Sequence, residues 1–194
     1  MQKGLEELKI KIEKYKPYNG QEEKDKNVML DYINNFDNVL TRENEFAHFT
    51  ASSWVVNKEK TKVLMIYHNI YKSWTWTGGH ADGEHDLLGT AIRELKEETG
   101  IKNVKVISPD IYSLENICVN GHVKRGKYVG SHIHLNLTYL LEADEEESLQ
   151  MKKDENSGVR WILIEDINKF CVEQWMVDNI YPKLNDKLKN LNIN

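Results

Sequence analysis

Ser131 to Leu141 carries the cleanest alternation of apolar and polar residues in the chain. Ile133, Leu135, Leu137, Tyr139 and Leu141 face one way, and His132, His134, Asn136 and Thr138 the other. A period of two is the signature of a strand. Its polar face belongs either at the surface or along a wet pocket, and helices covering most of the sheet favour the pocket. A second alternation runs from His48 to Val56, with Phe49, Ala51 and Val55 set against Thr50 and Ser52. Val63 to Tyr67 is instead continuously apolar, which predicts a strand buried on both faces. Shorter strands are expected at Val104 to Ile107, Ile111 to Val119 and Val159 to Leu163.

Other stretches carry the helical period. Within residues 1–45, Leu5, Leu8 and Ile12 share a stripe that excludes Ile10. Pro17-Tyr18-Asn19-Gly20 interrupts it, and Met29, Leu30, Ile33 and Phe36 resume the spacing before Val39 and Leu40. Leu88, Ala91, Ile92, Leu95 and Thr99 define a third helix. A closing helix is expected over Ile164 to Leu191, packing through Val172, Trp175, Met176, Ile180, Leu184 and Leu188, with Pro182 bending or splitting it. This order of elements predicts an α/β fold with a mixed sheet between helices. The chain divides into a helical N-terminal extension, 1–45, and a domain over 46–194. The extension has three readings: a cover for the sheet, a cap on a substrate pocket, or a contact with another subunit, as in a homodimer.

A chain of 194 residues, 40% of them hydrophobic, can bury one proper core. The net charge of −5 and the absence of a large basic block give no reason to expect nucleic-acid coating. No apolar run is long enough for a membrane span, and the charged start MQKGLEELKIKIEKYK does not read as a signal peptide. Cys118 and Cys171 have neither metal-ligand spacing nor the look of a disulfide framework, so a reducing cytoplasm is the simplest home.

The densest chemistry lies between Gly78 and Ile101, GGHADGEHDLLGTAIRELKEETGI. On a helix, Glu94, Glu97 and Glu98 are surface neighbours, and like charges at such spacings cost about 0.2–0.5 kcal/mol per pair. They also crowd the last turn, where the helix dipole disfavours anions. The bland explanation is a solvated acidic face; the sharper one is a hard divalent cation held by carboxylate oxygens. Arg93 stands four residues before Glu97 and can hold it in place. Gly100 is a natural helix stop, and Asp86 is a candidate N-cap.

The whole string resembles the Nudix hydrolase box, G-x5-E-x7-R-E-U-x-E-E-x-G-U, where U is a bulky aliphatic. Gly79, Arg93, Glu94, Leu95, Glu97, Glu98, Gly100 and Ile101 meet eight of its nine fixed positions. The departure is His85, where the box has glutamate; Glu84 or Asp86 is close enough to substitute. The resemblance implies an α/β/α sandwich and hydrolysis of a nucleoside diphosphate linked to another moiety: a nucleotide sugar, ADP-ribose or a nucleoside triphosphate. It further implies that Glu94, Glu97 and Glu98, with Gly79 of the leading loop, hold magnesium or manganese. Arg93 would orient Glu97, and Glu97, Glu94 or a distal Glu155 would act as base. A module of the same fold that senses a nucleotide without turnover is the alternative, though it need not keep the acidic set. An isomerase of this fold would need a catalytic cysteine, and neither Cys118 nor Cys171 sits in a suitable motif.

Weaker candidates surround the box. Lys124, Arg125 and Lys127 form a glycine-flanked basic loop, either an ordinary hairpin or a phosphate contact. His132 and His134 could share a metal at i, i+2 spacing, but no further ligand is evident by motif, which leaves hydrogen-bonding or substrate-facing roles. Trp54, Trp74 and Trp76 could stack a base or simply pack a core.

Overall fold

The computed structural model describes residues 3–124, 126–152 and 156–191. In chain order the helices and strands are α1 (Lys3–Lys14), α2 (Gly20–Asn35), β1 (Ala47–Val56), β2 (Lys62–His68), β3 (Ser73–Thr75), β4 (Thr77–His80) and α3 (Leu87–Thr99). They continue as β5 (Val104–Val106), β6 (Ser113–Val119), β7 (His122–Lys124), β8 (Lys127–Val129), β9 (His132–Ala143), β10 (Asn156–Leu163), α4 (Ile167–Phe170) and α5 (Tyr181–Leu191). Contacts group them into two compact units. One comprises Met1–Ser52, Gly78–Ala91 and Ser108–Tyr139; the other Ser53–Thr77, Ile92–Ile107 and Leu140–Asn194.

In the first unit, β4, β1, β9 and β6 lie in that order, with β6 antiparallel to β9 from Ser113↔Thr138 to Val119↔His132. The helical stripes land as the periodicity predicts. Leu5, Leu8 and Ile12 of α1 are buried while Ile10 is not, and Met29 and Ile33 of α2 are buried. These residues join Phe49, Ala51, Leu114, Leu135 and Leu137 in one apolar cluster. The first two helices therefore supply a wall of this core rather than an appendage to it. Asn19 caps α2, its Oδ1 accepting the Glu22 N–H at 3.0 Å.

The polar faces of β1 and β9 depart from the alternation's simplest meaning. Every residue of β1 is buried, and so are Asn136 and Thr138 of β9. Polar groups withdrawn from water need partners, and these find one another. Asn136 Oδ1 accepts from Thr50 Oγ1 (3.0 Å) and Ser52 Oγ (2.8 Å), and its Nδ2 donates to Glu115 Oε2 (3.1 Å). Thr138 Oγ1 donates to the same Glu115 oxygen at 3.0 Å. Ser113 Oγ bridges Glu115 to Glu22 Oε1, and Tyr15 donates to Glu22 Oε2 at 2.7 Å. The middle of the expected pocket face is a closed hydrogen-bond network that also ties α2 to β6.

In the second unit β2 pairs antiparallel with β10, β3 and the end of β1, while β5 pairs with the end of β9. Val63, Leu64, Met65 and Ile66 are fully buried, as the unbroken apolar run predicts. Trp54 stacks on Tyr181 at 5.4 Å between ring centroids, and Trp76 meets the same ring edge-on at 5.9 Å.

The closing segment corrects its prediction. Its break falls at Cys171, not at Pro182. Cys171 turns to extended backbone and Val172 N–H donates to Ser73 Oγ at 3.0 Å, so α4 ends there. A helix restarts and passes through a π-turn, Met176–Ile180, in which Tyr181 N–H reaches Met176 O. That wider turn carries the chain into α5 with Pro182 inside it. Because the helical phase restarts, Met176, Ile180, Leu184 and Leu188 are buried whereas Val172 and Trp175 stand out at 68% and 60% exposure. Among the described residues no helix is long and apolar enough to cross a membrane.

Candidate active site

The acidic helix forms for local reasons. Asp86 Oδ1 accepts the Gly89 N–H at 3.1 Å, confirming it as the N-cap of α3. Leu87, Ala91, Leu95 and Thr99 are buried. Gly100 ends the helix at φ +75°, and a Cβ there would lie 2.8 Å from Gln150 Cβ, so both conformation and space call for glycine.

All three candidate glutamates fall in the second unit. Glu98 is buried at 3% exposure, the Glu94 side chain is mostly covered, and Glu97 stands at 42%. Arg93 Nη1 lies 2.8 Å from Glu94 Oε1 and 3.5 Å from Glu97 Oε1, so its closer charge partner is the adjacent glutamate. The expected pairing of Arg93 with Glu97 exists but is the longer one. A residue outside the box makes the shorter contact: Lys152 Nζ sits 3.1 Å from Glu97 Oε2. The hydrogen bond from Lys152 is the largest of the effects that hold the Glu97 carboxyl below the usual carboxylate range, with Arg93 adding to it. Lys152 was invisible in the sequence because it is 55 residues away on a polar connection. Backbone contacts fix the helix end further, Asn156 Nδ2 donating to Glu98 O at 3.0 Å and Gln150 N–H to Thr99 O at 2.7 Å.

Glu94, Glu97 and Glu98 offer only oxygen donors from one helix face. Such a set fits a hard divalent ion such as magnesium or manganese, and Glu98 is already withdrawn from bulk water. Glu155 and Arg125 lie outside the described residues.

The remaining candidates belong to the first unit. Gly79 follows Gly78 on β4, where any Cβ on Gly78 would press within 2.6 Å of Ala51 O and Ser52 Oγ; the strands approach that closely. His85, which stands where the box has glutamate, packs under α1: a Cβ on Gly4 would meet its ring at 2.2 Å. Of the two acids that could replace it, Asp86 is engaged as the helix cap and Glu84 is exposed. Lys124 closes a small two-stranded ribbon opposite Lys127, the hairpin form of the basic loop. His132 and His134 are joined by two histidines that no spacing rule links to them, His48 at the start of β1 and His80 at the end of β4. Trp76, considered above as a base-stacking residue, is 7% exposed against Tyr181, so its ring serves the core of the second unit, as does that of the fully buried Trp54. Trp74 packs against Tyr67 and beneath the Arg160 guanidinium.

Comparisons with known proteins point to one family. The family model described as the NUDIX domain matches residues 47–184. The chain is 31% identical over 142 residues to a protein named RNA pyrophosphohydrolase from Pelagibacter ubique (strain HTCC1062), spanning 71% of this chain and 88% of that one. It is 34% identical over 98 residues to a protein named probable DHNTP pyrophosphohydrolase from Lactococcus lactis subsp. cremoris (strain MG1363), covering 50% of this chain and 56% of the relative. Among solved structures, a NUDIX-family hydrolase from Clostridium perfringens aligns with a TM-score of 0.52 at 23% identity, over 74% of this chain and 97% of that one, a likeness of fold.

Proposed function

The chain belongs to the Nudix family, and on that premise we propose that it is a magnesium- or manganese-dependent hydrolase of a nucleoside diphosphate linked to another moiety. It shares the α/β fold of that family, and its class is that of a Nudix pyrophosphohydrolase. The observation that carries the reading is the acidic face of α3, with Glu94, Glu97 and Glu98 all present and Glu98 nearly buried. A bound divalent ion would polarise phosphate oxygens and lower the pKa of water.

The side chains divide the remaining work. Glu94, Glu97 and Glu98 present the oxygens that hold the ion. Arg93 orients Glu94 and Glu97 before a ligand arrives, and Lys152 holds Glu97 until an ion displaces it. Glu97, Glu94 or Glu155 takes the proton of the attacking water as its oxygen bonds to phosphorus and the bridging P–O bond of the anhydride breaks, the other phosphate departing with the bridging oxygen. A cytoplasmic setting is supported by two free thiols, Cys118 and Cys171.

The deciding experiment is a magnesium-containing substrate panel: nucleoside triphosphates, nucleotide sugars, ADP-ribose, dinucleoside polyphosphates and NADH. Triphosphate-ended RNA and DHNTP join it because the two relatives carry those names. Magnesium-dependent cleavage of at least one anhydride is the expected result. A flat panel with nucleotide binding intact would point to a sensing module instead.

A further inference from the structure

Four histidines converge inside the first unit on three neighbouring strands: His48 on β1, His80 on β4, and His132 and His134 on β9. One ring nitrogen from each lies within 4.8 Å of all the others. We propose that these four imidazoles form a second metal centre, a structural site for a zinc-class ion that clamps β4, β1 and β9 together. This goes beyond the hydrolase reading and uses none of its carboxylates.

The hydrogen bonds around the rings support ligation. His48 Nδ1 lies 2.9 Å from Asn44 O, and His132 Nδ1 lies 2.8 Å from Gly130 O. A carbonyl oxygen can only accept, so each Nδ1 carries the proton and each Nε2 presents a lone pair to the cluster. Outer partners of this kind orient the histidines of metal sites. His48 Nε2 is buried with no hydrogen-bond partner. His132 Nε2 and His134 Nε2 are 3.1 Å apart. Two nitrogens at 2.0–2.1 Å from a tetrahedral zinc are separated by about 3.3 Å, so this pair already stands at ligand spacing. The nitrogens of His48 and His80 lie within 4.8 Å of that pair and of each other.

The environment favours the ligating form. Burial pushes the His80 imidazole down to about 3 and His134 well below its ordinary value, and the neighbouring histidines add to both. His48 is lowered as well, again chiefly by burial. His48 and His132 are buried and His80 and His134 partly so, and one cation would satisfy the ring nitrogens that face one another there. The donors are all nitrogen, which suits zinc, cobalt or nickel rather than the hard ions of an oxygen site. Four protein ligands fill a tetrahedron and leave no open position, so the role is structural.

The test uses the full-length protein, stripped by a chelator and titrated with Zn2+ or Co2+ in excess Mg2+, which keeps the carboxylates of α3 occupied. One equivalent should bind, Co2+ should give the intense visible absorption of a tetrahedral nitrogen site, and Zn2+ should raise the melting temperature. X-ray absorption on the wild-type zinc form should show four nitrogens at about 2.0 Å. His80→Ala and His134→Ala should each weaken Zn2+ binding by at least about 100-fold, while Glu98→Gln keeps the full equivalent. Binding that survives the His80→Ala/His134→Ala double variant, or an oxygen-rich first shell in the wild type, would overturn the assignment. The wild-type absorption measurement decides the matter even where a variant fails to fold.

Discussion

Lys152 Nζ lies 3.1 Å from Glu97 Oε2, so a lysine that the Nudix box does not specify holds one of the carboxylates assigned to the divalent ion. Both side chains are partly exposed, which limits such a pair to roughly 0.5–1 kcal/mol. Removing the lysine should free Glu97 for the ion. Lys152→Ala is therefore expected to lower the half-saturating magnesium concentration about two- to fivefold, as read from activity against metal concentration. A rise instead would mean that the lysine serves the substrate.

Glu97→Gln and Glu98→Gln keep side-chain volume and remove charge. Each should lower turnover on the best substrate by roughly 100-fold or more, with unchanged circular dichroism. His85→Ala should cost far less, because His85 packs against α1 at Gly4. A loss with His85→Ala as large as that of Glu98→Gln would return His85 to the catalytic set.

The contact between Gly4 and His85 predicts a reversal of sign. Gly4→Ala places a methyl group 2.2 Å from the imidazole and should destabilise the protein by about 1–3 kcal/mol. In a His85→Ala background the same change should be neutral or mildly stabilising, since alanine is the better helix former by up to about 1 kcal/mol. Chemical denaturation of the four proteins in a double-mutant cycle measures the coupling.

Asn136 ties Thr50, Ser52, Glu115 and Thr138 into one buried network. Asn136→Leu keeps the volume but orphans several of those groups, so a loss of roughly 3 kcal/mol is expected. For a protein of this size that is a fall of about 6–12 °C in melting temperature by calorimetry.

The two thiols should differ sharply in reactivity. Cys118 is exposed, whereas Cys171 is buried, and its thiol is pushed up to about 12 by that burial and by the nearby Glu173 charge. Iodoacetamide at pH 8 should label Cys118 in the folded protein and spare Cys171; labelling in denaturant should reach both. Equal rates in the native state would contradict the packing of the Cys171 segment.

What the sequence made legible was local. The stripe of Leu5, Leu8 and Ile12, the apolar run Val63 to Ile66 and the Asp86 cap each depend on residues a few positions apart, and each is found as expected. The carboxylates of α3 were readable for the same reason. The histidine cluster was not: His48, His80 and the β9 pair meet only through strand pairing, which no spacing encodes. Lys152 escaped for the same cause. The closing helix misled because Pro182 is the conspicuous breaker in the sequence, while the actual break depends on a tertiary contact, Val172 to Ser73.

The burial of Leu5, Leu8, Ile12, Met29 and Ile33 beside Phe49 and Leu135 bears on how the gene should be handled. The matched family region starts at residue 47, and a clone cut there would lose these apolar plugs, with Val39 and Leu40 besides, from the interior. The polypeptide left behind would present a greasy, unroofed flank, and its fate on expression would be inclusion bodies rather than a minimal enzyme.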